Sequence, residues 1–293
     1  MVQIDSVIDC DLAIPLEDYF CGLELSHWSI VQKTDNDAYR LFGYFDTREV
    51  ALRSWAELRT VFLSIPEVLE VTVLDDEDWK NAYKKYLKPW NYKDLHWVPV
   101  WEKGSYQVPE GDVVVYFDAG MAFGTGAHET TQLCAQRLVD FRDAHKDEMK
   151  KLKVIDAGCG SGILAISARL LGFGAVMGFD IDEEAVRISN ENAEFSKIKD
   201  GIVFKTAGLN DGFPIHKVDL VLANILANVL CQYSKTILDA IKPQGTLVLS
   251  GILVSEVAQV REHFCKEAVE FWGKHRVDSR TLGEWVDLRF HRS

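Results

Sequence analysis

The sequence predicts an α/β chain in which a doubly wound, mainly parallel sheet follows a smaller α+β domain. Three observations carry this expectation. From about residue 108 onward, short apolar runs alternate with amphipathic stretches, as parallel strands joined by crossover helices require. Within that region, residues 154–165 read as a buried strand, a glycine turn and a helix, and the next apolar run ends in Asp180-Ile181-Asp182. The first 75 residues read instead in the order βαββαβ, which is that of a ferredoxin-like fold.

In this first domain, strands are expected at residues 2–9, 27–34, 39–46 and 68–74, with helices at 15–23 and 47–64. Asp46 is the expected N-cap of the second helix, and Pro66 follows its end. RNA-recognition motifs share the order of elements, and residues 39–45 place aromatics where such a motif stacks bases. Core packing is the other reading of the same aromatic strand. Charge speaks against nucleic acid: residues 1–75 hold five Lys/Arg and fourteen Asp/Glu, a net of −9 within a chain total of −13. Such a surface repels phosphate and attracts a basic partner.

Residues 76–104 read as a linker between this domain, 1–75, and a second one, 105–293. A helix is expected at 77–88, with Trp79, Tyr83 and Tyr86 as a packing stripe and Lys80, Lys84, Lys85 and Lys88 as a solvated face. Pro89-Trp90 ends it. In the second domain, strands are expected near 113–117, 154–156, 175–181, 202–206, 220–224, 246–250, 269–277 and 284–289, with helices in most of the gaps. No long helix separates the last two strands, so they should form an antiparallel hairpin at the sheet edge.

The 47% hydrophobic and 26% charged content is that of an ordinary globular protein. The first residues lack the basic start and apolar core of a signal peptide, and no apolar run approaches the ~18 residues that span a bilayer. A cytosolic protein without membrane contact is therefore expected. Cys10, Cys21, Cys134, Cys159, Cys231 and Cys265 are scattered without a Cys-x-x-Cys pair, and the histidines fall at no metal-ligand spacing. Reduced, buried thiols and no metal are expected.

The glycine turn carries the chemistry. Gly158, Gly160 and Gly162 let the backbone turn tightly and approach a ligand with no Cβ in the way. A dinucleotide site spaces its glycines Gly-x-Gly-x-x-Gly, and the helix that follows faces a pyrophosphate. Here the spacing is Gly-x-Gly-x-Gly, preceded by Asp156. An acid there repels pyrophosphate and suits a cationic ligand such as S-adenosyl-L-methionine, with its sulfonium and ammonium groups. Asp180, at the end of the next strand, is placed to accept both hydroxyls of a ribose.

Two further segments stand out. Residues 120–131 hold Gly120, Gly124, Gly126, Thr125, Thr130 and Thr131 just before a helix, and hydroxyls and amides at a helix start bind a carboxylate. Thr130 or Thr131 reads equally as a simple helix cap, and His128 as a base, a substrate contact or a hydrogen bond that fixes the loop. Residues 220–226 form a buried strand ending in Asn224, at the strand end where open α/β sheets bind ligands. An amide there orients a nucleophilic nitrogen in amino-methylating enzymes; satisfying local backbone is the alternative.

Together these segments resemble the PrmA family of ribosomal-protein methyltransferases, which modify protein eleven of the large ribosomal subunit. The resemblance lies in Ala122-Phe123-Gly124-Thr125-Gly126 with His128 and Thr130-Thr131, in Asn224-Ile225-Leu226-Ala227 and in Ser250-Gly251-Ile252-Leu253. It extends from Asp78-Trp79 and Trp101-Glu102 to the carboxyl terminus. It departs at Ala119 and Glu129, where prolines would stand, and in the first domain, which shares order of elements more than residue identity. The resemblance implies a Rossmann-like class I methyltransferase sheet and S-adenosyl-L-methionine as cofactor. It also implies Thr131, Gly158, Asp180 and Asn224 as cofactor contacts, joined by Gly160 of the turn. Asn224 is the candidate catalytic residue. The implied activity is N-methylation of lysine ε-amines, with the terminal α-amine as a further target, on a basic ribosomal protein of the large subunit. The first domain would bind that protein, with no direct nucleic acid contact. Methylation of another protein or a small molecule, or cofactor binding without turnover, are the alternatives.

Overall fold

A computed structural model describes the chain except residues 23, 24, 26, 32–37, 74–86, 119–127 and 215, and except the side chains of 14, 17, 18, 21 and 22. The linker helix expected at 77–88 therefore falls almost wholly outside the described residues, as does the glycine-threonine loop up to residue 127. The chain divides into two compact units, Met1–Lys85 and Tyr86–Ser293. Among the described residues no helix is long and apolar enough to cross a membrane.

The first unit contains β1 (Val2–Ile8), α1 (Cys10–Gly22), β2 (Trp28–Val31), β3 (Tyr39–Phe45), α2 (Arg48–Val61) and β4 (Glu70–Val73). The strands form an antiparallel sheet in the order β2-β3-β1-β4. Alternation along β3 buries Leu41, Gly43 and Phe45, and Phe45 packs with Trp28, which stacks on Phe20 at 5.7 Å. On the other face Arg40 pairs with the buried Asp5 at 2.5 Å. Helix α1 begins five residues before the expected Pro15, which lies inside it. Burial of Ala13, Leu16 and Phe20 at helical spacing offsets the backbone hydrogen bond that proline cannot make. The N-cap of α2 is Thr47, whose Oγ1 accepts from the Val50 amide, and not Asp46.

In the second unit, β5 (Trp90–Tyr92), β6 (Leu95–Pro99) and β7 (Val113–Phe117) form a separate three-stranded sheet. This corrects the expectation that residues 113–117 join the doubly wound sheet. Residues 95–99, read as linker, are a fully buried strand and give β7 a parallel partner. Trp97 anchors this sheet, stacking on Trp90 at 3.9 Å and donating Nε1 to Ser167.

The large sheet contains β8 (Lys153–Ala157), β9 (Ala175–Asp180), β10 (Ile202–Thr206), β11 (Val218–Asn224), β12 (Ile241–Leu253), β13 (His275–Leu282) and β14 (Trp285–Arg292). Their order is β10-β9-β8-β11-β12-β14-β13. The first five run parallel, and β13 and β14 form the expected antiparallel hairpin at the edge. Around the sheet lie α3 (Glu129–Ala144), α4 (Ile163–Leu170), α5 (Glu183–Phe195), α6 (Ala227–Gln232), α7 (Ser234–Asp239) and α8 (Val257–Trp272). A strand does not start at residue 269. Val260, Phe264, Ala268 and Trp272 are buried four apart, so α8 continues to Trp272, and Gly273 at φ +72° ends it.

Helix α3 is pinned to the hairpin by a buried ion pair. Arg137 donates Nε and Nη2 to the two carboxylate oxygens of Asp287 at 2.8 and 2.7 Å, and both side chains are at most 1% exposed. Strand order reverses between β8 and β11, so the crevice at their carboxyl ends is where this architecture receives a ligand.

Candidate active site

The glycine turn leaves β8 at that crevice. Gly158 has φ +70°, and a Cβ there would meet Ile225 Cγ2 at 2.6 Å; Gly162, at φ +76°, would meet Ser189 Oγ at 2.7 Å. Both positions thus exclude a side chain through conformation and space together. Helix α4 begins at Ile163 with Gly162 as its N-cap. The turn is tied to β9: the amides of Gly158 and Cys159 both donate to the Phe179 carbonyl at 2.9 Å.

Asp180 ends β9. Its Oδ2 accepts the Gly160 amide at 2.9 Å and its Oδ1 the Asp182 amide at 3.0 Å. Each carboxylate oxygen keeps a further acceptor site, so the side chain can still take two hydroxyls. Asp156, 1% exposed, accepts the Ala165 amide at 3.0 Å. Burial pushes its carboxyl up to about 8; the Ala165 hydrogen bond opposes that rise and the Asp180 charge adds to it.

The opposite wall comes from α3 and β11. His128 is the N-cap of α3, its Nδ1 facing Thr130 Oγ1 at 2.8 Å and accepting the Thr130 amide at 3.4 Å. Its ring meets Trp285 edge-on at 5.0 Å. The structure thus gives His128 the cap that the sequence left open between His128 and the threonines. Thr130 and Thr131 are both 1% exposed, and Ser250 Oγ donates to the Thr130 carbonyl at 2.9 Å. Asn224 Nδ2 donates to Thr131 Oγ1 at 3.3 Å, while its Oδ1 is buried with no hydrogen-bond partner among the described residues. A buried carbonyl oxygen without a donor is costly, and a ligand N–H supplies one.

Thr131, Asp156, Gly158, Gly160, Asp180, Asn224 and His128 all line one cavity of about 910 Å³. Residues that sequence reasoning missed also line it, among them Ile181, Asn210, Asp211, Leu226, Tyr233 and Trp285. Asp211 follows β10 in a glycine-flanked loop at the same sheet end, a signal the sequence did offer. Trp285 reaches the cavity from the edge hairpin, which no local pattern announces. The charged side chains among the described lining residues are all carboxylates: Asp156, Asp180 and Asp211. Ile181 and Leu226, 82% and 65% exposed, offer apolar surface that a bound ring would cover.

This donor set fits S-adenosyl-L-methionine. A carboxylate faces each place where a sulfonium, an ammonium or a ribose would need one, and a pyrophosphate would meet repulsion. Asp180, Gly158, Gly160, Thr131 and Asn224 are the groups that would hold it.

Sequence and structure comparisons point the same way. The chain is 39% identical over 216 residues to the ribosomal protein L11 methyltransferase of Acetivibrio thermocellus, an alignment covering 73% of this chain and 64% of that protein. It is 36% identical over 220 residues to the protein of the same name from Alkaliphilus metalliredigens, covering 74% of this chain and 65% of that one. The matches thus span just under two thirds of these curated relatives. Among solved structures, the crystal structure of ribosomal protein L11 methylase from Lactobacillus delbrueckii subsp. bulgaricus superposes with a TM-score of 0.59 at 30% identity. That match covers 70% of this chain and 98% of the other. The family model for ribosomal protein L11 methyltransferase (PrmA) matches residues 18–293. With the glycine turn, the Asp180 carboxylate and the Asn224 amide around one cavity in that matched region, the chain belongs to the ribosomal protein L11 methyltransferase (PrmA) family.

Proposed function

We propose that the chain transfers methyl groups from S-adenosyl-L-methionine to amines of large-subunit ribosomal protein L11, at lysine ε-amines and at the terminal α-amine. The observation that carries this reading is the unpartnered Asn224 Oδ1 in a cavity whose charged lining residues, among those described, are all acidic. When bound, the cofactor supplies an electrophilic methyl group on a sulfonium.

The residues then do three things. Asp180 and the glycine turn fix the nucleoside end. Thr131 orients Asn224 through the 3.3 Å hydrogen bond. Asn224 Oδ1 accepts an N–H of the incoming amine and so aims its lone pair, positioning being the main source of rate in a displacement of this kind. The amine must arrive without its extra proton. Releasing that proton from a lysine of pKa ~10.4 at neutral pH costs about 4 to 5 kcal/mol. Apolar Ile225, Leu226 and Val229 line the same cavity, and desolvation against them lowers the lysine pKa.

The acidic first unit docks the basic substrate, and action on a ribosomal protein places the chain in the cytoplasm. Supplying radiolabelled S-adenosyl-L-methionine with a ribosomal-protein fraction, and separately with a metabolite extract, tests the reading. Label should enter a single protein band in the first; label in the extract alone contradicts it.

A further inference from the structure

Helix α5 holds the rim of the cavity without lining it. At its start the Asp182 amide donates to Asp180 Oδ1 at 3.0 Å. Farther along, Ser189 Oγ donates to the Gly160 carbonyl at 2.8 Å. Asn192, fully buried, donates Nδ2 to the Ser161 carbonyl at 2.8 Å and accepts the Asp118 amide at Oδ1 across 2.7 Å. Ser189 and Asn192 stand three residues apart and so share one helix face.

Asn192 differs from its neighbours in what it joins. Ser161 belongs to the glycine turn of the large sheet, and Asp118 immediately follows β7 of the three-stranded sheet. The chain that leaves Asp118 is the chain that later enters α3 at His128, on the opposite wall of the cavity. One buried amide thus fixes where that chain departs relative to the turn, and both of its polar ends are satisfied in doing so. The cavity does not include Asn192 among its lining residues.

We propose that Asn192 is a positioning residue for S-adenosyl-L-methionine: by clamping Asp118 to Ser161 it sets the spacing between two walls of the cavity, and through it cofactor affinity. This rests on the cofactor reading given above.

Isothermal titration of the full chain with S-adenosyl-L-methionine tests it, on wild type, Asn192→Ala, Asn192→Asp and Ser196→Ala. Ser196 also ties α5 to β7, donating Oγ to the Tyr116 carbonyl at 2.9 Å and accepting the Tyr116 amide at 3.1 Å, but it touches neither the turn nor Asp118. Asn192→Ala should raise Kd about tenfold, the equivalent of one lost net hydrogen bond. KM for the cofactor should rise in step, with kcat at saturation within about twofold of wild type. Asn192→Asp keeps the acceptor for Asp118 and loses the donor to Ser161, so its Kd should also rise. Ser196→Ala should lower Tm and leave Kd unchanged. Wild-type Kd in Asn192→Ala, or in Asn192→Asp should the alanine variant not fold, overturns the assignment. An equal rise in Ser196→Ala overturns it too, because general loosening of α5 would then explain the effect. A wild-type chain that binds no S-adenosyl-L-methionine overturns instead the cofactor reading beneath it.

Discussion

Asn224 and Thr131 lie 93 positions apart in sequence, and the 3.3 Å bond from Asn224 Nδ2 to Thr131 Oγ1 joins the carboxyl end of β11 to the first turn of α3. The bond commits the amide nitrogen to the protein and leaves the oxygen for a ligand. Asn224→Ala should lower kcat about tenfold or more while the folded chain keeps measurable cofactor binding. Turnover at the wild-type level under saturating cofactor would remove Asn224 from the reaction.

Asp180 accepts two backbone amides before any ligand arrives, so it shapes the glycine turn as well as the nucleoside site. Asp180→Ala should weaken S-adenosyl-L-methionine binding by about 10- to 100-fold, each charge-assisted hydrogen bond contributing roughly 1.5 to 3 kcal/mol before the turn relaxes. Titration calorimetry reads this directly, and unchanged affinity in a folded variant excludes the ribose contact.

The Asp156 carboxyl stays protonated up to about pH 8 in the folded chain, against roughly 3.9 when unfolded. Between these values the folded chain holds a proton that the unfolded chain has lost. The ligand-free protein should therefore lose stability as pH rises from ~4 to ~8 and level off above that. A cationic ligand favours the ionised carboxyl, so cofactor binding should release a proton near neutral pH and tighten between pH 6 and 8. Calorimetry in two buffers of different ionisation enthalpy measures the release. Equal proton release by wild type and Asp156→Asn contradicts this account.

The buried Arg137–Asp287 pair predicts a large structural effect distant from the chemistry. Arg137→Met strands the Asp287 carboxylate in the interior and should cost about 3 to 5 kcal/mol. A denaturant midpoint close to that of wild type would show that the pair contributes little.

Acidity in the first unit predicts a salt-dependent substrate effect. Lysine at Asp35, Asp37 and Glu49 should raise KM for the basic protein substrate and leave cofactor Kd unchanged. The difference should shrink as added salt shortens a Debye length of ~8 to 10 Å. A KM insensitive to both changes assigns the acidic surface another role.

Much of the architecture was legible because it follows from local pattern. The glycine turn, the strand that ends in Asp180 and the strand that ends in Asn224 announce themselves by apolar runs that stop at polar residues, and all three converge on one cavity. What the sequence hid depends on partners. Residues 95–99 look like linker until β7 is seen to pair with them. Val269 looks like the start of a strand until the helical spacing from Val260 to Trp272 is buried against the sheet. Trp285 lines the cavity because the hairpin folds back along β12, and the clamp at Asn192 joins residues 74 positions apart. Neither leaves a local trace.

Mass spectrometry of purified ribosomal protein L11, incubated with the chain and S-adenosyl-L-methionine, tests the central claim most directly. The account predicts mass increments of whole methyl groups on lysine and terminal amines, with S-adenosylhomocysteine formed in equal number and both lost in Asn224→Ala. An unmodified protein after full incubation with a folded, cofactor-binding chain would contradict it.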